Sequence, residues 1–220
     1  MSEATHKVFI TGGTGYIGGQ LIPALLLRGH SVRALVRPES EARVPLGCRA
    51  VIGNALDAES FKDKIDGADT LVHLVGVPHP NPSKAMQFRS IDLASARASL
   101  AAALHAAVKH FVYLSVAQPA PTMHAYVAAR AEAEALIRGS GIGTTVLRPW
   151  YVLGPGHRWP YLLMPCYWLM ERLPSTRETA MRMGLVHLEQ IVAAIVNAVE
   201  RPERGVRIVE VPEIRSAGRR

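Results

Sequence analysis

The sequence predicts an α/β protein built on a doubly wound parallel sheet. Short β-branched runs alternate along the chain with longer segments of helical periodicity, the pattern of strands joined by crossover helices. The first apolar run, residues 8–10, leads straight into Thr11-Gly12-Gly13-Thr14-Gly15-Tyr16-Ile17-Gly18, a glycine-rich turn that opens a helical pattern. No Pro/Gly/Ser-rich linker or repeat divides the 220 residues, so one domain over residues 1–220 is expected.

The elements follow in order. Strands are expected at residues 7–11, 31–36, 49–52, 70–74, 110–115 and 143–147, each a short β-branched or aromatic run, with a last one at 206–211. Helices are expected at 16–28, 60–65, 90–107, 126–140 and 189–200. The third of these is Ala-rich, a composition that suits a helix buried on its own sheet or packed against a second copy. Pro23 falls inside the first helix, removes one backbone bond and should kink it mildly.

Glycine explains the first turn. Gly12 can take a tight turn, Gly15 lets the backbone approach a pyrophosphate, and Gly18 lets helix pack closely on strand. Free N–H groups at the helix start then face the phosphates. The context of strand, turn and helix reads as a nucleotide site.

Composition narrows the remaining classes. The net charge is +7, but the arginines are scattered and no nucleic-acid motif accompanies them, so a solvated basic surface and no nucleic-acid partner are expected. The nine histidines show no ligand spacing, and no metal site is expected. Cys48 and Cys166 lack metal or redox spacing and read as buried spectators, without proving or excluding a disulfide. The first seven residues lack the basic-then-apolar pattern of a signal peptide, and a cytoplasmic location is expected.

Several motifs occur in the order of a known family, and the chain resembles the short-chain dehydrogenase/reductase superfamily, in its extended and atypical branches with TGxxGxxG. Beyond the glycine turn the resemblance rests on Gly53-Asn54-Ala55-Leu56-Asp57, His73-Leu74-Val75-Gly76, Phe111-Val112-Tyr113-Leu114-Ser115, residues 126–130, Leu147-Arg148-Pro149 and Gly154-Pro155-Gly156. It implies a Rossmann fold with a small C-terminal substrate lobe, and a cofactor held by Gly12, Thr14, Gly15, Tyr16 and Ile17. It further implies that Asn54 and Ala55 line the adenine, that Leu74, Val75 and Gly76 run beside the diphosphate and ribose, and that Pro149, Trp150 and Val152 receive the nicotinamide.

The tip of the second strand selects between cofactors. An acidic residue there would bind the ribose hydroxyls of NAD, whereas an arginine can pair with the extra phosphate of NADP. The residues are Ala34-Leu35-Val36-Arg37. With no acid present, NADP(H) is expected over NAD(H), on Arg37 with Arg33 as a weaker helper.

The family's general acid/base is a Tyr followed four residues later by a Lys on the same helix face. This chain carries Tyr126-Val127-Ala128-Ala129-Arg130, so Tyr126 is the implied proton carrier and Arg130 replaces the lysine. A guanidinium one turn away would still favour a phenolate and could bond ribose hydroxyls. The family's polarising Ser or Thr falls to Ser115, since Val116 and Ala117 follow it.

Residues 159–170 are rich in Trp, Tyr, Leu and Met and include Pro160 and Pro165. They read as a substrate wall or cap within residues 150–185, or as an interfacial membrane segment flanked by Arg158 and Arg172. The apolar run is far shorter than the roughly 20 residues of a spanning helix. Since the sequence stops at Arg220, a small reductase is expected over a nucleotide-sugar epimerase. The implied function is an NADP(H)-dependent oxidoreductase acting on a small or apolar carbonyl or hydroxyl compound, as a monomer or homodimer. The alternative is a non-catalytic dinucleotide sensor, like redox regulators or the respiratory complex I accessory subunit.

Overall fold

The computed structural model describes residues 5–155, 168, 170, 172–174 and 176–218. In chain order the elements are β1 (Lys7–Thr11), α1 (Gly18–Leu27), β2 (Ser31–Val36), β3 (Arg49–Ile52), β4 (Thr70–His73), α2 (Ala94–His105), β5 (His110–Leu114), α3 (His124–Gly139) and β6 (Gly143–Arg148). They continue with β7 (Tyr151–Leu153), α4 (Arg177–Arg182), β8 (Leu185–His187), α5 (Leu188–Glu200), β9 (Val206–Glu210) and α6 (Val211–Ala217). Seven strands form one parallel sheet in the order β3-β2-β1-β4-β5-β6-β9, and β7 pairs with β8 in a separate parallel ribbon.

Both faces of the sheet are covered, which is why its strands read as continuous apolar runs instead of alternating ones. In β1, Val8 and Ile10 join the core beneath α1 and α5, while Phe9 joins the opposite core beneath α2 and α3. β5 divides in the same way, with Val112 on the first side and Phe111 and Tyr113 on the second. The two-residue period of a strand thus feeds two cores at once.

Two expectations are corrected. Residues 60–65 form no α-helix: 3-10 turns Ala58–Ser60 and Lys62–Lys64 stand there, the first capped by the Asp57 carboxylate accepting from the Glu59 N–H. So short a segment scarcely covers the cost of nucleating a helix. The expected helix at 90–107 instead starts as a helical turn, Ala85–Gln87, passes through a π-turn, Phe88–Leu93, and becomes regular only in α2. The remaining boundaries shift by a residue or two, as fraying ends do.

Candidate functional site

The strand order reverses between β1 and β4, the position at which open parallel sheets leave a crevice at their carboxyl ends. The glycine turn fills one side of that crevice. Gly12 has φ +80°, and a Cβ there would stand 2.9 Å from the Leu74 carbonyl carbon and 3.0 Å from the Val75 nitrogen. A Cβ on Gly18 would lie 2.5 Å from the Gly13 oxygen and 2.6 Å from the Gly12 oxygen. The Gly15 N–H bonds back to the Gly12 oxygen at 3.0 Å. Gly12 therefore faces Leu74 and Val75 across the crevice, and Thr14, Gly15, Tyr16 and Ile17 follow it in the same turn into α1. Thr14 and Ile17 are half-buried, whereas Gly15 and Tyr16 are exposed. The Tyr16 hydroxyl reaches to Gly154, where a Cβ would fall 2.2 Å from it.

At the tip of β2, Arg37 is 70% exposed and pairs with Glu39 at 3.1 Å. It precedes the 3-10 turn Pro38–Arg43, within which Arg43 donates to the buried Ser40 hydroxyl at 2.6 Å. Arg33 is placed elsewhere. Its guanidinium donates to the carbonyls of Lys64, Ile65 and Asp66, each at 2.8 Å, in the segment that enters β4. This is the amino edge of the sheet, away from the crevice, so the expected help from Arg33 is not available. Asn54 is exposed after β3 and folds its own loop, its Oδ1 accepting from the Leu56 N–H at 3.0 Å. Ala55 packs on the core beside it.

Tyr126 and Arg130 come together, but with partners the sequence did not announce. The Tyr126 ring packs on Phe88 with centroids 5.0 Å apart, and the Arg130 guanidinium lies 5.3 Å from the Tyr126 ring centre and 5.8 Å from that of Tyr113. That guanidinium is buried. Its Nη2 stands 2.7 Å from Asp92 Oδ1, and its Nη1 donates to the Leu114 carbonyl at 2.7 Å. Gly76 makes this possible, since a Cβ there would lie 2.2 Å from Arg130 Nη2. Burial pushes the Asp92 carboxyl above its usual range against the pull of Arg130, and pushes the Tyr113 phenol up to about 12. Asp92 is the acidic residue missed from sequence, although its isolation was a signal: no other Asp or Glu occurs between Asp69 and Glu132.

Ser115 is engaged by Glu134. Its hydroxyl donates to Glu134 Oε1 at 2.5 Å, and Glu134 also accepts from Gln118 and from both Nε and Nη2 of Arg148. Glu134 lies two turns along α3 from Tyr126, about 12 Å at the rise of a helix. Pro149 is buried, with its carbonyl accepting from the Ala117 N–H at 2.9 Å, Trp150 is half-buried, and Val152 packs on the core as it pairs with Val186. Gly156, Arg158, Pro160, Pro165 and Cys166 lie outside the described residues, as does most of the apolar segment 159–170. Beneath the crevice His73 is fully buried among hydroxyls, with Nδ1 at 2.8 Å from Thr11 Oγ1 and 3.0 Å from Ser99 Oγ. Burial, reinforced by the Arg130 charge, lowers its pKa to about 3.

Among the described residues, no group of three or more His, Cys, Asp or Glu is placed to hold a metal, and no helix is long and apolar enough to cross a membrane. The switch-point crevice and its glycine cradle suit a dinucleotide, so fold and site together define a dinucleotide-binding Rossmann protein. Residues 12–158 match the model of an NAD(P)H-binding family. The chain belongs to that family, and its cofactor is of the nicotinamide class. A 4-hydroxy-2-methyl-3-oxo-4-farnesyl-3,4-dihydroquinoline-1-oxide ketoreductase of Stigmatella aurantiaca is 32% identical over 67% of this chain and 51% of its own length. A ceramide reductase of Caulobacter vibrioides is 26% identical over 99% of this chain and 68% of its own. The Bordetella bronchiseptica enzyme WbmH, solved with NAD+, shares the fold with a TM-score of 0.69 at 22% identity, over 94% of this chain and 76% of that one.

Proposed function

We propose that this chain is an NADP(H)-dependent oxidoreductase that reduces a ketone or aldehyde of an apolar compound, with Tyr126 giving the proton to the carbonyl oxygen. The observation that carries the reading is the pairing of a glycine cradle at the switch point with a tyrosine whose ring lies 5.3 Å from a buried guanidinium. Gly12, Gly15 and Gly18 would admit the diphosphate, Asn54 and Ala55 the adenine, and Pro149, Trp150 and Val152 the nicotinamide. The bound cofactor supplies the hydride. Tyr126 supplies the proton, and the Arg130 charge favours the phenolate that remains. Arg37, freed from Glu39, would meet the 2′-phosphate. The substrate class follows the relatives, whose names specify a farnesyl quinoline ketone and ceramide.

The test is a fluorescence titration with NADPH and with NADH, followed by NADPH oxidation against a panel of long-chain and polycyclic ketones. NADPH should bind at least tenfold more tightly than NADH, and Tyr126→Phe should lose turnover while keeping its NADPH affinity. Turnover unchanged in Tyr126→Phe would remove that residue's role. A second reading, a dinucleotide sensor without turnover, is favoured by Ser115, whose hydroxyl is committed to Glu134. Tight cofactor binding with no turnover across the panel would establish the sensor instead.

A further inference from the structure

We propose that Asp92 is the positioning residue of this site, holding the Arg130 guanidinium between Tyr113 and Tyr126 and compensating its charge there. The inference rests on the reading of Tyr126 as proton donor, but its test requires no turnover. The geometry starts at the π-turn Phe88–Leu93. π-turns insert one residue into a helix and turn side chains off its regular face, and this one delivers two residues to one place. Phe88 packs on the Tyr126 ring at 5.0 Å, and Asp92 meets Arg130 at 2.7 Å.

Each end of the pair is fastened separately. Asp92 is fully buried, and its Oδ2 accepts the Val77 N–H at 3.1 Å, which ties the carboxylate to the chain just beyond Gly76. Arg130 is tied through Nη1 to the Leu114 carbonyl at 2.7 Å. The missing Gly76 side chain clears the space in which they meet, since a Cβ there would lie 2.2 Å from Arg130 Nη2 and 3.2 Å from Asp92 Oδ1. A guanidinium held in this way acts on Tyr126 through its charge at a fixed distance, not as a swinging ligand.

The groups facing this spot come from four elements: Arg130 from α3, Asp92 from the π-turn, Tyr113 from β5 and His73 from β4. His73 is neutral, and burial pushes the Tyr113 phenol up to about 12. The charged neighbours at this spot are thus one cation, Arg130, and one anion, Asp92. Asp92 offsets much of the field that Arg130 imposes on the Tyr126 phenol. Removing the carboxylate while leaving the guanidinium should lower the pH at which Tyr126 ionises.

The experiment is a tyrosinate absorbance titration of Asp92→Asn. The Tyr126 contribution among the six tyrosines is isolated by subtracting Tyr126→Phe made in the same background. The midpoint should fall by about one pH unit or more relative to wild type, the scale of an uncompensated neighbouring charge. A merely structural role for Asp92 would lower stability and leave the midpoint in place, and equal midpoints in a folded variant overturn the proposal. If Asp92→Asn does not fold, the pair Asp92→Asn with Arg130→Gln, which buries no unpaired charge, is titrated against Arg130→Gln alone. A midpoint lower in the double variant supports the proposal, and equal midpoints overturn it. A shifted midpoint in a protein that turns over no ketone leaves Asp92 in its role and removes the oxidoreductase reading alone.

Discussion

Two adjacent glycines in α1 do opposite work, and the difference can be measured. Gly18 stands with its missing Cβ against the backbone of Gly12 and Gly13, whereas nothing lies within 4 Å of the place a Cβ would occupy on Gly19. Gly18→Ala should therefore push α1 off the turn, costing about 1–3 kcal/mol and weakening NADPH binding at least tenfold. Gly19→Ala should leave binding intact and add about 0.5–1 kcal/mol by removing a helical glycine. Urea unfolding and the NADPH titration check both, and equal effects from the two substitutions would show that close packing is not what Gly18 serves. At this scale the glycines were legible because a backbone approach leaves its mark on residue type. Ser115 and Arg130 were legible in position but not in partner. Which acceptor takes the Ser115 hydroxyl depends on Glu134, nineteen residues away on another element, and a distance of that kind leaves no local pattern.

Elements were read well where periodicity decides and poorly where a single residue bends the backbone. Strands β1, β2 and β3 stand where the apolar runs put them, and each feeds a buried sheet. The π-turn was not legible, since its residues Phe-Arg-Ser-Ile-Asp-Leu fit an ordinary helix as well. Nor was the strand pairing of β7 with β8, three residues each, because so short a ribbon exists only through its partner. Helix ends give a sharper case. α1 closes with the Gly29 N–H bonding to Leu26 and the His30 N–H to Leu25, and Gly29 has φ +81°. α2 closes with the same two bonds, Ala107 to Leu104 and Val108 to Ala103, yet Ala107 carries φ +50°. Both are Schellman closures, and the left-handed position suits glycine. An alanine there bears the Cβ–carbonyl conflict that glycine escapes. Ala107 is exposed, so Ala107→Gly removes no buried contact. It should stabilise the protein by about 0.5–1 kcal/mol after allowing for the looser unfolded chain, raising Tm by about 1–4 °C. A lowered Tm would show that the strain at Ala107 is already relieved by its surroundings.

At the scale of the whole molecule, the two-sided sheet encloses polar groups that must stay neutral, and this sets how stability responds to acid. His73 sits among Thr11, Ser95 and Ser99, and His110 between Thr70 and Thr145. Burial, with Arg130 adding to it, lowers His73 from 6.5 to about 3, and burial with His6 lowers His110 from 6.5 to about 4. In the unfolded chain both take up protons near 6.5, while in the folded chain both resist. Above that pH neither state binds the protons and the two histidines contribute no slope. As pH falls from about 6.5 towards 4, the unfolded chain gains protons the native one lacks, so stability declines by about 1.4 kcal/mol per unit for each group. Asp92 works the other way, because its raised pKa lets the native chain take up a proton early and softens the fall. Urea midpoints measured at intervals from pH 8 to 4.5 should be level at first and then drop. His73→Gln, which keeps a polar side chain but does not titrate, should take away roughly half of that slope. A flat profile through pH 5 would mean that the histidines are protonated in the folded protein, and that the hydroxyl network around His73 opens to accommodate the charge.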